Sequence, residues 1–191
     1  MTKKTIVFDA DDVLLEGAAF ILQCAKEILG PDLKEVSKSF KLTERYGISP
    51  QDEAKVFKIF NEKMVYQKPL KGAQEVLTEL EKYFNIVVVT AINKEGIQAR
   101  KECFKLNKIP VHEVYATGVL KSKRDCLSTL KPLLFVDDRL KNLRDARHLN
   151  IYRSWICHEG EDQGLEECPS LFESKHSDLI HWFETVGKHF I

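Results

Sequence analysis

Polar residues close three apolar runs of this sequence. Asp9, Asp11 and Asp12 follow Ile6, Val7 and Phe8; Thr90 ends the run Val87, Val88, Val89; Asp137 and Asp138 follow Leu133 to Val136. Lys123 opens a helical stretch just before the last of these runs. Carboxylates brought to one edge repel one another, and without compensation some take up protons. A hard cation relieves that repulsion, and Mg²⁺ accepts one or two protein carboxylates together with phosphate oxygen and water. Thr90, the backbone N–H of Ala91 and Lys123 offer donors and positive charge suited to phosphate oxygens. An aspartate beside such a cation and an anchored phosphate is placed to attack phosphorus.

Those residues meet only if the chain carries them to one edge. Short apolar runs at 6–8, 86–89, 114–116, 133–136 and 151–156 have the length and composition of strands. Helical spacing lies between them near 94–106, with Asn93 as a plausible cap, near 122–130 and near 140–148. The strands read as continuous apolar runs rather than alternating ones, which suits a parallel sheet covered on both faces. The expected fold is therefore α/β, a Rossmann-like doubly wound parallel sheet. In such sheets ligands bind beyond the carboxyl ends of the strands, where the polar residues sit.

One segment breaks the rhythm. Between Gly17 and Lys68 no strand-like run occurs, and helices are expected near 17–30, 32–46 and 51–66. That insert is too long for an ordinary connection in an α/β unit. The reading is a core of residues 1–16 and 68–191 with an all-helical insert at 17–67.

Composition narrows the classes. The chain has 191 residues, enough for one domain with an insertion, and 29 basic against 29 acidic residues give no global field to recruit nucleic acid or an anionic membrane. Cys24, Cys103, Cys126, Cys157 and Cys168 are odd in number, scattered and without a C-x-x-C pair, and so read as reduced thiols. The N-terminus lacks a secretory pattern and no apolar run is long enough to span a membrane, so a soluble cytoplasmic protein is expected. There is no G-x-G-x-x-G, P-loop or G-x-S-x-G, and the six histidines show no zinc-binding spacing.

Taken singly, each polar signal has an ordinary reading: D-x-D as a solvated turn or helix cap, Thr90 as a strand end, Asp137 and Asp138 as a loop pair. Taken in order, "IVFDADDVL", "VVVTA", "LKSKRDCL" and "LLFVDDRLKN" resemble the four motifs of the haloacid dehalogenase-like (HAD) superfamily. The resemblance covers residue 5 to about residue 150. It implies a HAD-like core, Asp9 as the nucleophile that forms an aspartyl-phosphate, and Asp11 as general acid/base. It implies Thr90 as the phosphate-binding residue and Asp137 as a Mg²⁺ ligand. Asp138 would bind the metal through water or pair with the lysine, and Asp11 would add its backbone carbonyl. Lys121 and Lys123 both lie in range of the third motif, and Lys123 fits a helix start facing the site.

Relatives that cleave carbon–halogen bonds lack the second aspartate and transport ATPases carry Thr there, so D-x-D argues for a phosphatase or phosphotransferase. The insert then resembles the small helical cap that closes over the site in one class of the superfamily. The implied partner is a phosphorylated small molecule or a phosphoprotein, such as a phosphotyrosine segment. Two other readings compete. A signalling receiver domain also gathers aspartates, a Thr and a Lys, but places its acceptor after a middle strand and carries no such insert. A non-catalytic HAD-fold module would act through the insert and the acidic segment 157–177, which otherwise reads as a solvated connection to a last helix near 178–189. Substrate identity and oligomeric state stay open.

Overall fold

In the computed structural model, which describes residues 3–37, 39–119, 121–156, 171–174 and 179–191, the first apolar run forms β1 (Lys4–Phe8). Its neighbours are β2 (Phe84–Thr90) and β4 (Leu134–Asp137), both parallel to it, with Val7 opposite Val87 and Phe135. With β3 (Glu113–Ala116), β5 (Tyr152–Ile156) and β6 (Leu171–Ser174) they form one parallel sheet in the order β3-β2-β1-β4-β5-β6.

The central strands β1, β2 and β4 are mainly apolar because both of their faces are covered. Successive side chains of a strand point to opposite faces. Ile6, Phe8, Val88, Leu134 and Val136 pack with Val76, Leu77 and Leu80 of α4 (Ala73–Leu80) and Trp182 of α8 (Leu179–Thr185). Val7, Val87, Val89 and Phe135 pack on the other face with Leu127 of α6 (Arg124–Leu130) and with Leu140 and Leu143 of α7 (Leu140–Asp145). Each fully buried side chain of this kind contributes about 1.5–3 kcal/mol. This clamp places the carboxyl ends of β1, β2 and β4 side by side.

Segment 17–66 is helical in three pieces, α1 (Gly17–Leu29), α2 (Leu42–Tyr46) and α3 (Pro50–Lys63), followed by a 3₁₀ turn at Met64–Tyr66. Phe20, Cys24, Leu42, Tyr46, Val56, Phe60 and Met64 form a separate small core that Ile92 joins from the loop after β2. Phe20 and Phe60 meet edge to face at 5.5 Å. Ser49 caps α3 by accepting from the Asp52 N–H, and Pro50 occupies the first turn, where its missing donor costs nothing. The two chain passages between insert and sheet are stitched together: Glu16 N–H donates to Lys68 O and Leu70 N–H to Leu14 O, both at 2.9 Å.

Three expectations need correction. The helix expected at 32–46 is confined to Leu42–Tyr46. In the preceding stretch the Val36 N–H turns to Arg45 O, and the Ser37 hydroxyl donates to Glu44 O while accepting from the Ser39 N–H. Serine bonds of this kind compete with helical ones. The 94–106 helix begins as a 3₁₀ turn, Lys94–Gly96, before α5 (Ile97–Leu106), and Asn93 makes no side-chain cap. Strand β6 lies in the acidic segment, where no strand is expected. The rest of that segment, with Cys157 and Cys168, lies outside the described residues. Among those described, Cys24, Cys103 and Cys126 are free thiols and no helix is long and apolar enough to cross a membrane.

Candidate active site

Asp9 directly follows β1, and its N–H still reaches Val136 O at 2.9 Å, so the ladder between β1 and β4 fixes its backbone. Its carboxylate accepts from the Ala10 N–H at 2.6 Å and lies 2.7 Å from the Lys123 ammonium. Lys123 precedes α6, is buried, and reaches the Asp137 carboxylate at 2.7 Å as well. Asp137 ends β4 and accepts further bonds from the Arg139 N–H at 2.8 Å and the Asn142 amide at 3.0 Å. Asp138 is buried beside it, and its backbone carbonyl accepts from the Trp155 indole. Asp9, Asp137 and Asp138 offer ligand oxygens that all lie within 4.8 Å of one another.

The electrostatics are those of a crowded, buried acidic cluster. Burial pushes the Asp9 carboxyl up to about 7; Lys123 opposes this and Asp137 adds to it. Burial, then Asp137 and Asp9, hold the Asp138 carboxyl well above the usual carboxylate range. Burial alone would pull the Lys123 ammonium down, but Asp137 and Asp9 more than reverse it and raise it above the ordinary lysine range. One ammonium does not balance three carboxylates.

At this edge of the sheet, Asp138 Oδ1 and Thr90 Oγ1 are buried without a hydrogen-bond partner among the described residues. Unpartnered buried polar atoms are costly and rare in folded proteins. A hard cation at the carboxylates and a phosphate oxygen at the hydroxyl would satisfy both, so the residues present fit a Mg²⁺ ion. Thr90 is the last residue of β2, and Ala91 lies on the turn after it. Lys121 is exposed, whereas Lys123 is inside the cluster.

The Asp11 carboxylate does not join this group. It accepts from the Gln67 amide at 2.7 Å and from Arg100 at 2.9 and 3.1 Å. Any contribution of Asp11 to a metal would come through its backbone carbonyl. Asp12 adopts φ 57° and turns its carboxylate onto the Ala18 N–H at the start of α1. The turn is tight enough to require Gly17, where a Cβ would lie 2.8 Å from Asp11 Cβ and 2.9 Å from Asp12 Oδ2.

Sequence reasoning did not single out Gln67, Arg100 or Asn142. Arg100 did carry a signal: it shares a helical face with Ile97 and Phe104, which places a guanidinium on an apolar stripe. Gln67 and Asn142 carried none, since their partners are set by tertiary packing.

The sequence matches no family model and no curated protein. Solved structures, in contrast, match over nearly the whole chain. The putative HAD-hydrolase YfnB from Bacillus subtilis, bound to magnesium, is 13% identical with a TM-score of 0.65, covering 98% of this chain and 100% of that one. A haloacid dehalogenase-like family protein, SP0104 from Streptococcus pneumoniae, is 15% identical with a TM-score of 0.61, covering 95% and 98%. A putative phosphoglycolate phosphatase from Lactobacillus plantarum is 16% identical with a TM-score of 0.58, covering 81% and 86%. At such identities the likeness is one of architecture. This chain has the haloacid dehalogenase-like fold.

Proposed function

We propose that this protein is a Mg²⁺-dependent phosphomonoesterase working through an aspartyl-phosphate on Asp9. The observation that carries the reading is the pairing of the Lys123-bridged Asp9 and Asp137 with two unpartnered buried atoms, Thr90 Oγ1 and Asp138 Oδ1. Asp9, Asp137 and Asp138 would hold the metal, with the Asp11 backbone carbonyl. Bound there, it would offset carboxylate charge and polarise a phosphate oxygen. Thr90, the Ala91 N–H and Lys123 would bind phosphate oxygens.

A carboxylate oxygen of Asp9 forms a bond to phosphorus as the bond to the ester oxygen breaks, and Asp11 gives that leaving oxygen a proton. Water then attacks phosphorus, Asp11 takes its proton, and the phosphorus–Asp9 bond breaks to release phosphate. A positioned acid/base is worth about 10²- to 10⁴-fold in such steps. The presence of Asp11 favours phosphate esters over the dehalogenation for which some neighbours of the same fold are named. The magnesium-bound and phosphatase-named neighbours are consistent with the reading. The substrate class is a small phosphorylated metabolite or a phosphoprotein, with the helical insert acting as a cap. The free thiols fit a reducing, cytoplasmic setting.

The test is release of p-nitrophenol from p-nitrophenyl phosphate by the purified chain with Mg²⁺ and with EDTA, beside Asp9→Asn. Mg²⁺-dependent release lost in the variant is expected. Full activity in Asp9→Asn would contradict the mechanism. No release from p-nitrophenyl phosphate and a panel of phosphorylated metabolites and phosphopeptides would favour a binding module acting through the insert and the acidic segment.

A further inference from the structure

Arg100 is 0% exposed, although a guanidinium buried without compensation costs several kcal/mol. Its Nη2 donates to both Asp11 oxygens, at 2.9 and 3.1 Å, and its Nη1 donates to Gln67 Oε1 at 2.7 Å. Gln67 closes the ring by donating from Nε2 to Asp11 Oδ1 at 2.7 Å. The Gln67 backbone is pinned in turn, since its carbonyl accepts from the Asn107 amide at 2.9 Å and from the Cys103 thiol at 3.4 Å. Helix α5 therefore grips both the carboxylate and the residue that steadies it. The Asp11 side chain keeps 31% of its surface exposed, so one flank stays open while the other is fixed.

We propose that Arg100 and Gln67 are positioning residues for Asp11, which they aim at the leaving oxygen of the substrate. Gln67 stands where the helical insert returns to the sheet, directly before the stitched passage of Lys68 to Leu70. The same ring therefore ties the position of the acid/base to the attachment of the insert. A lysine at 100 would supply one charge but not the fork that reaches Asp11 and Gln67 together. The proposal rests on the phosphatase reading and assigns two residues to it that touch neither phosphate nor metal.

The leaving group separates a positioning role from a structural one. Dinitrophenolate leaves without help, whereas phenolate needs a proton, and kcat/KM reports the first chemical step. We would compare dinitrophenyl phosphate with phenyl phosphate in wild type, Asp11→Asn, Arg100→Met, Arg100→Lys and Gln67→Met, with urea unfolding to establish that each variant is folded. Misplacing a catalytic group by about 1 Å costs about 10²-fold, so Arg100→Met and Asp11→Asn should lose about that factor on phenyl phosphate and less than about threefold on dinitrophenyl phosphate. Gln67→Met, which keeps the charge pair, should show the same split to a smaller degree and carries the test if Arg100→Met does not fold. Equal losses on both esters in the folded Arg100 and Gln67 variants, with the split retained in Asp11→Asn, would overturn the positioning role alone. Hydrolysis of neither ester by wild type, together with no release from the panel of phosphorylated metabolites and phosphopeptides, would overturn the phosphatase reading and this role with it.

Discussion

The Lys123 ammonium stands 2.7 Å from the Asp137 carboxylate, buried with it at the carboxyl edge of the sheet, and the same nitrogen is 2.7 Å from Asp9. Lys123 thus holds the Asp9 carboxylate, the proposed nucleophile, and the Asp137 carboxylate, a proposed metal ligand, at a fixed separation. Removing one partner of a buried pair leaves an uncompensated charge. Lys123→Met should therefore destabilise the metal-free protein by roughly 3–5 kcal/mol and reduce hydrolysis about 10²-fold or more. Lys121→Met, at an exposed position, should change neither. Urea unfolding and p-nitrophenyl phosphate turnover measure the two effects.

Thr90 makes the opposite kind of prediction. Its hydroxyl is buried without a partner, so Thr90→Val, which keeps the shape, should leave stability unchanged or raise it by up to about 1 kcal/mol. Hydrolysis should fall by about 10- to 100-fold through loss of one phosphate donor. A variant that unfolds more easily would show that the hydroxyl serves the fold.

Stability of the metal-free protein should depend on pH in an unusual direction. Asp9 is pushed up to about 7 and Asp138 is raised too, so the folded chain binds more protons than the unfolded chain, whose aspartates titrate near 3.8. Stability then falls as pH rises from about 4 through about 7. A cation that binds only the folded state opposes this, so saturating Mg²⁺ should flatten the decline. Urea midpoints with EDTA and with Mg²⁺ across that range test both statements; rising stability with EDTA would contradict the first.

Gly17→Ala tests the tight turn that carries Asp11. A Cβ there would press on Asp11 Cβ at 2.8 Å and Asp12 Oδ2 at 2.9 Å, which forces the loop to shift. Overpacking of this kind costs about 1–3 kcal/mol, and the shift should also lower turnover. Thermal unfolding and kcat/KM report the two effects.

The sequence made the sheet legible where strands are long apolar runs ending in polar residues, as at Ile6 to Asp9 and Leu133 to Asp138. Those runs state both burial and the edge at which the polar residues gather. Strand β6 was illegible because Leu171 and Phe172 are too few to signal a strand, and its pairing is supplied by β5. Helical spacing over 32–46 predicts a longer helix than forms, because it does not reveal that the Ser37 and Ser39 hydroxyls engage the backbone instead. The partners of Asp11 lie 56 and 89 residues away, so only the folded chain brings Gln67 and Arg100 to it.

The central claim is a covalent phosphoryl group on Asp9. We would mix the protein with excess p-nitrophenyl phosphate and Mg²⁺, quench in acid within the first turnover, and map the adduct by mass spectrometry. The account predicts one phosphoryl group on the peptide containing Asp9, removed by hydroxylamine and absent from Asp9→Asn. Steady turnover with a phosphoryl group on another residue, or undiminished turnover in Asp9→Asn, would contradict it.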